Sequence, residues 1–160
     1  MTDFPRLIAT LCEADVAFIL VGGVAATIHG SSRLTQDVDI VYRRDSDNLT
    51  RLERALAPHH PYLRGAPRGL PFEWSAATLK RGLNFTLTTD IGDIDILGEI
   101  VGGGDYERLF DESIEIELFG HRCRCLNLAA LIRAKRAAGR PRDLEVVAEL
   151  EALRDGLGER

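Results

Sequence analysis

The chain reads as an α/β protein of the α+β kind, with a mixed β-sheet flanked by helices. Three observations lead to that reading. Short apolar runs of strand length intermix with stretches of helical periodicity. A Gly22-Gly23 pair directly follows the first strand run. Two later strand segments carry acids at alternate positions, Asp37 with Asp39 and Asp93 with Asp95. A length of 160 residues suits one domain over residues 1–160, large enough to bury a core.

From Phe4 to Ala14, apolar residues recur at helical spacing (Phe4, Leu7, Ile8, Leu11), with Asp3 as N-cap and Pro5 in the first turn. Ala17 to Val21 is a short apolar run, a buried strand. Gly22-Gly23 breaks it, and Val24 to His29 forms a short helix ending at Gly30. Val38 to Tyr42 is the next strand. Asp45 or Ser46 then caps a helix through Ala57 with the stripe Leu49, Leu52, Ala55 and Leu56, stopped by Pro58. Pro58 to Pro71, rich in proline and glycine, is expected to be a mobile loop.

Asn84 to Thr89 and Ile91 to Leu97 read as strands, and Gly102-Gly103-Gly104 as a loop before a short helix, Tyr106 to Phe110. Ile114 to Leu118 and Arg122 to Leu126 alternate about Phe119-Gly120, the pattern of a hairpin. Asn127 caps a helix to Ala138, Gly139 terminates it, and Pro141 opens a last helix to Leu153.

The apolar fraction of 45% and charged fraction of 28% are those of an ordinary globular protein. No apolar run approaches a membrane span, and no basic segment followed by an apolar one opens the chain. The expectation is a cytoplasmic protein with no membrane partner. Three cysteines, an odd number, fit a reducing compartment. A net charge of −5 argues against broad affinity for nucleic acid. Its distribution is uneven: ten acids and one base lie between Asp90 and Glu117, then seven bases and no acid between His121 and Arg142. That basic block reads either as a solvated helix and hairpin face or as a phosphate- or RNA-facing surface.

The acids carry the chemistry. Alternate strand residues share a face, so Asp37 and Asp39 point one way while Val38 and Ile40 point into the core. Two carboxylates that close raise each other's pKa unless a cation lies between them. An all-oxygen donor set suits Mg²⁺ or Mn²⁺ rather than zinc. A strand ending in Gly-Gly before a helix offers backbone N–H groups to a phosphate. Either signal alone is weak; their order and spacing together are specific.

Those residues resemble the minimal nucleotidyltransferase fold of the polymerase-beta-like superfamily: apolar strand, Gly with Gly or Ser, Asp-x-Asp, and a third carboxylate on a later strand. The chain is more closely similar to bacterial nucleotidyltransferase-like proteins that include the abortive-infection type II toxins. Val21-Gly22-Gly23-Val24-Ala25-Ala26-Thr27-Ile28-His29-Gly30, Arg33-Leu34-Thr35-Gln36-Asp37-Val38-Asp39, Gly92-Asp93-Ile94-Asp95-Ile96-Leu97-Gly98 and Lys135 to Leu144 carry the likeness. Many active members have Ser as the second residue of the glycine motif; this chain has Gly23.

The resemblance implies a Mg²⁺-dependent (or Mn²⁺-dependent) transfer of an NMP from an NTP, such as ATP, to an acceptor hydroxyl. Asp37, Asp39 and Asp95 would hold the metal, with Asp95 favoured over Asp93 as the third acid. Gly22 and Gly23 would cradle the phosphates, and Arg33 and Thr35 are further phosphate contacts. Lys135 would carry charge on a β- or γ-phosphate, and Asp143 would position Lys135 or cap the final helix. A tRNA 3′ end or a protein hydroxyl is the implied acceptor, and a toxin role would imply a cognate antitoxin. Two alternatives stand beside this one: a non-catalytic binding module with the same fold, and an Asp-x-Asp glycosyltransferase, which the short chain and the nearby glycine turn disfavour.

Other residues invite chemistry less strongly. His121, Cys123 and Cys125 alternate on one strand but lack a fourth ligand at zinc spacing, so a half-buried strand is the better account. His29 reads as packed, and His59-His60 as loop residues. Phe72 and Trp74 suit a core or lid contact better than base stacking.

Overall fold

The computed structural model describes residues 1–158. Helix α1, Phe4–Glu13, starts at Asp3, whose carboxylate accepts the Arg6 N–H at 3.1 Å, and buries Leu7, Ile8 and Leu11. Strand β1, Phe18–Val21, is buried at every position, as a central strand covered on both faces must be. Helix α2, Gly22–Ile28, begins at the glycines themselves, so the pair opens the helix rather than separating it from the strand. Strand β2 is Asp37–Tyr42 and helix α3 is Ser46–Leu56, capped by Asp45 and followed by one 3₁₀ turn, Ala57–His59. Asn48 on α3 is fully buried. Its amide donates to the carbonyls of Ala17 (3.0 Å) and Arg43 (2.7 Å) and accepts the Ala17 N–H (2.7 Å), fastening α3 to the ends of β1 and β2.

The segment expected to be a mobile loop contains a strand, β3, Tyr62–Leu63, paired antiparallel to the later strand β4, Phe85–Thr89. A strand of two residues exists only through its partner, so no local periodicity announces it. Helix α4, Ala76–Arg81, capped by Ser75, was likewise not expected. Next come β5, Gly92–Leu97, the small hairpin β6 (Glu99–Ile100) and β7 (Gly104–Asp105), and helix α5, Tyr106–Phe110. Strands β8, Ser113–Leu118, and β9, His121–Leu126, form the expected hairpin. Phe119 and Gly120 both take positive φ, 51° and 81°, the backbone that matches strand twist in a two-residue turn. Helix α6, Leu128–Ala138, is capped by Asn127 and ends at Gly139 with φ 69°; α7 is Pro141–Gly158.

Seven strands make one mixed sheet in the order β3-β4-β5-β2-β1-β9-β8. Helix α1 packs on α3 and β9, α2 on α6, and α6 on α7. No helix among the described residues is long and apolar enough to cross a membrane. The pairing that matters most joins β2 to β5, parallel and in register: Asp37 opposite Asp93, Val38 opposite Ile94, Asp39 opposite Asp95. Equal phase puts all four acids on one face of two adjacent strands. Val38, Ile40, Ile94 and Ile96 are fully buried on the other.

Candidate active site

The register brings Asp37, Asp39 and Asp95 together: one carboxylate oxygen from each lies within 4.8 Å of the others. Asp39 is the most perturbed. Burial, then the charges of Asp37 and Asp95 and a hydrogen bond shared with Asp95, push its pKa up to about 8 against a partial pull from Lys135. Burial and the Asp95 charge also raise Asp37, while Arg64 pulls it down. The neighbouring cations compensate these carboxylates only in part, and three oxygen donors converging on one point could hold a hard divalent cation.

The glycines are explained by what faces them. Gly22 has φ +65°, and a Cβ there would stand 2.0 Å from Asp39 Oδ2. The Asp39 carboxylate therefore occupies the space any side chain at 22 would need. A Cβ on Gly23 would meet Thr35 Oγ1 at 2.5 Å, so a serine at 23 is incompatible with this Thr35. The Thr35 hydroxyl donates to the Asp37 carbonyl at 3.1 Å, bracing the start of β2.

Across the cleft, α6 and α7 meet at the Gly139-Arg140-Pro141 break. Asp143 in the first turn of α7 is 1% exposed. Its carboxylate accepts from Arg140 Nε at 2.6 Å and lies 3.5 Å from Lys135 Nζ. Burial works against the Asp143 charge, but the Arg140 hydrogen bond and the Lys135 charge outweigh it and hold the pKa below the usual value. Asp143 thus bridges Lys135 and Arg140 at the start of α7. Arg33 lies farther out, its guanidinium on Glu145 at 3.3 Å.

Two clefts meet at the acids. The first, about 400 Å³, is lined by Gly23, Arg33, Thr35, Arg140 and Arg142 together with the carboxylates and Lys135. The second, about 300 Å³, shares Asp39, Asp95, Lys135 and Asp143 and continues along Asn84, Leu97, Glu99, Ile100, Val101 and Leu131.

One site residue escaped the sequence reading. Arg64, just after β3, reaches Asp95 at 2.7 Å, Asp37 at 3.4 Å and Asp93 at 3.4 Å. Asp93 accordingly faces this cation, with its side chain 36% exposed. An arginine in a stretch read as a mobile loop carries no local mark of such a role.

Most of the basic block meets an acid or a ring, while Arg142 lines the first cleft and Arg122, Arg136 and Arg140 keep more than half of their side chains exposed. Arg122 pairs with Glu115 at 3.6 Å, Arg133 with Glu112 at 2.6 Å, Arg136 with Glu151, and Lys135 and Arg140 with Asp143. Arg124 lies over the Phe110 ring. The preceding acidic stretch and the last helix supply partners that linear distance conceals. The remaining candidates take the bland roles: Cys125 is fully buried, His29 Nε2 lies 2.8 Å from the Leu126 carbonyl, and Trp74 Nε1 donates to the Glu53 carbonyl.

No family model and no curated protein sequence matches the chain. Solved structures do. The lincomycin-bound lincosamide antibiotic adenylyltransferase LnuA superposes with a TM-score of 0.63 at 15% identity, over 96% of this chain and 98% of its own. ANT(2″)-Ia in complex with adenylyl-2″-tobramycin matches with a TM-score of 0.54 at 14% identity, over 98% and 95%. An antigenic nucleotidyltransferase-like protein from Paracoccidioides brasiliensis matches with 0.56 at 15%, over 95% and 77%. Across near-complete lengths, with a mixed sheet flanked by helices in common, the chain has the nucleotidyltransferase fold.

Proposed function

We propose that the chain is a metal-dependent nucleotidyltransferase that moves an NMP from an NTP to the hydroxyl of an acceptor. The convergence of Asp37, Asp39 and Asp95 carries this reading. These three would hold Mg²⁺ or Mn²⁺. When bound, such ions supply the charge that stabilises the attacking and leaving oxygens of an in-line displacement.

The residues divide the remaining work. Asp95 accepts the proton of the acceptor hydroxyl as its oxygen forms a bond to the α-phosphorus. The bond from that phosphorus to the bridging oxygen breaks, and pyrophosphate leaves. Lys135, held by Asp143, offsets the charge gathering on pyrophosphate. Gly23, Arg33 and Thr35 would serve the phosphates in the first cleft, while Gly22, which borders the second, leaves the room that the Asp39 carboxylate fills.

The second cleft suits a small hydroxyl-bearing acceptor, being near the lower end of ligand-pocket volumes and partly apolar. LnuA is named as a lincosamide antibiotic adenylyltransferase, and ANT(2″)-Ia holds adenylyl-2″-tobramycin. A tRNA 3′ end or a protein hydroxyl, with a cognate antitoxin, is the second acceptor reading. The ion pairs along the basic block reduce its free positive charge and so favour the small acceptor over this one. The non-catalytic module is favoured by one observation, the partial neutralisation of the acids by Arg64.

Incubation with Mg²⁺ and each labelled NTP, against small polyhydroxylated acceptors, total tRNA and protein, tests the proposal. Label transfer with pyrophosphate release, lost in Asp39→Ala, is expected. Neither transfer nor Mg²⁺-dependent NTP binding would leave the binding-module reading.

A further inference from the structure

Arg64 stands where a cation is required, and it arrives from an unusual direction. Its backbone N–H donates to the Thr86 carbonyl at 3.0 Å, fixing it beside the outer strand β4. From there the side chain crosses the sheet face: one terminal nitrogen donates to both the Leu87 carbonyl and Asp95 Oδ1, each at 2.7 Å, and the other lies 3.4 Å from Asp37 Oδ2. Two of the three carboxylates proposed for the metal are therefore already in contact with a guanidinium. The fit is incomplete. Nε is buried with no hydrogen-bond partner, facing Asp93 Oδ2 at 3.4 Å without the geometry of a bond.

We infer that Arg64 is a tethered counter-ion that keeps Asp37, Asp93 and Asp95 together in the metal-free protein and competes with the divalent cation for Asp37 and Asp95. This rests on the metal site proposed above. Arg64 acts through the carboxylates and is a positioning residue. Its two long contacts and its unbonded Nε make it a partner that an ion of higher charge displaces. A merely structural arginine would support the acids, so its removal would weaken ion binding. A competitor's removal strengthens it. The sign decides.

The experiment titrates the full chain with Mn²⁺ in the absence of nucleotide, reading free ion by electron paramagnetic resonance. Wild type, Arg64→Ala and Arg64→Met are compared, the last keeping the aliphatic stem if the alanine variant folds poorly. Mn²⁺ should bind the variants about tenfold or more tightly than wild type. Metal-free variants should melt lower than wild type, with the gap closing at saturating Mn²⁺. Equal or weaker binding by folded variants while wild type binds Mn²⁺ would overturn the role of Arg64 alone. Absence of Mn²⁺ binding by wild type and variants alike would instead overturn the metal site itself.

Discussion

Asp39→Asn tests the electrostatics of the site without any turnover. The fold holds the Asp39 pKa at about 8, against 3.8 for the unfolded side chain, by burial and by two neighbouring carboxylates. The folded state then binds a proton that the unfolded state has released. Stability from this group is full below about pH 4 and is lost as pH rises toward 8. At pH 7 the loss is the 1.36 kcal/mol per pKa unit applied between 3.8 and 7, about 4 kcal/mol; at pH 5 it is about 2 kcal/mol. Asparagine is isosteric, stays neutral and keeps a donor for Asp95. In urea unfolding with a chelator present, the variant should exceed wild type by about 2–4 kcal/mol at pH 7, the lower figure allowing for relaxation of the cluster, and by clearly less at pH 5. Divalent ion should erase the advantage, because wild type gains by binding and the variant does not. An Asp39→Asn protein no more stable than wild type at pH 7, or one whose advantage is equal at both pH values, would refute this reasoning.

Three further substitutions follow from contacts in the cleft. Gly22→Ala places a Cβ 2.0 Å from Asp39 Oδ2 at φ +65°, so unfolding assays should show a loss of about 2 kcal/mol or more, with Mn²⁺ binding abolished. Gly23→Ser should destabilise through Thr35, whose Oγ1 and Cβ stand 2.5 and 2.8 Å from the added Cβ, and Thr35→Gly added to it should recover part of the loss; a double-mutant cycle without coupling would contradict the clash. Asp143→Ala leaves the largely buried Lys135 without its partner while the exposed Arg140 can turn to solvent, with an expected cost of about 1–3 kcal/mol at pH 7. Because the Asp143 pKa is lowered, its contribution is present above about pH 4 and fades as pH falls through that lowered value, so the variant and wild type should converge in acid.

The acids were legible because strand geometry is local. Asp-x-Asp fixes a shared face, and the same spacing in Asp93-Ile94-Asp95 supplies a second strand of the same kind. That the two strands pair in parallel register is a tertiary fact; the resemblance implied Asp95 as the third acid, and the register sets it opposite Asp39. Caps at Asp3, Asp45 and Asn127, and the turn at Phe119-Gly120, were readable for the same local reason. Arg64 was not. Its strand is two residues long and held by β4, and the proline and glycine around it point to a loop. The partners of the basic block were not readable either, because Glu115, Glu112 and Glu151 reach Arg122, Arg133 and Arg136 only after folding.

A crystal structure with Mn²⁺ and a non-hydrolysable NTP, phased to reveal anomalous scattering, addresses the claim that three carboxylates form a metal–nucleotide site. The account predicts anomalous density bonded to oxygens of Asp37, Asp39 and Asp95, Arg64 withdrawn from Asp37 and Asp95, and the triphosphate in the cleft beside Gly23 and Lys135. Manganese bound elsewhere, or a triphosphate lying outside that cleft with Arg64 still on the acids, would contradict it.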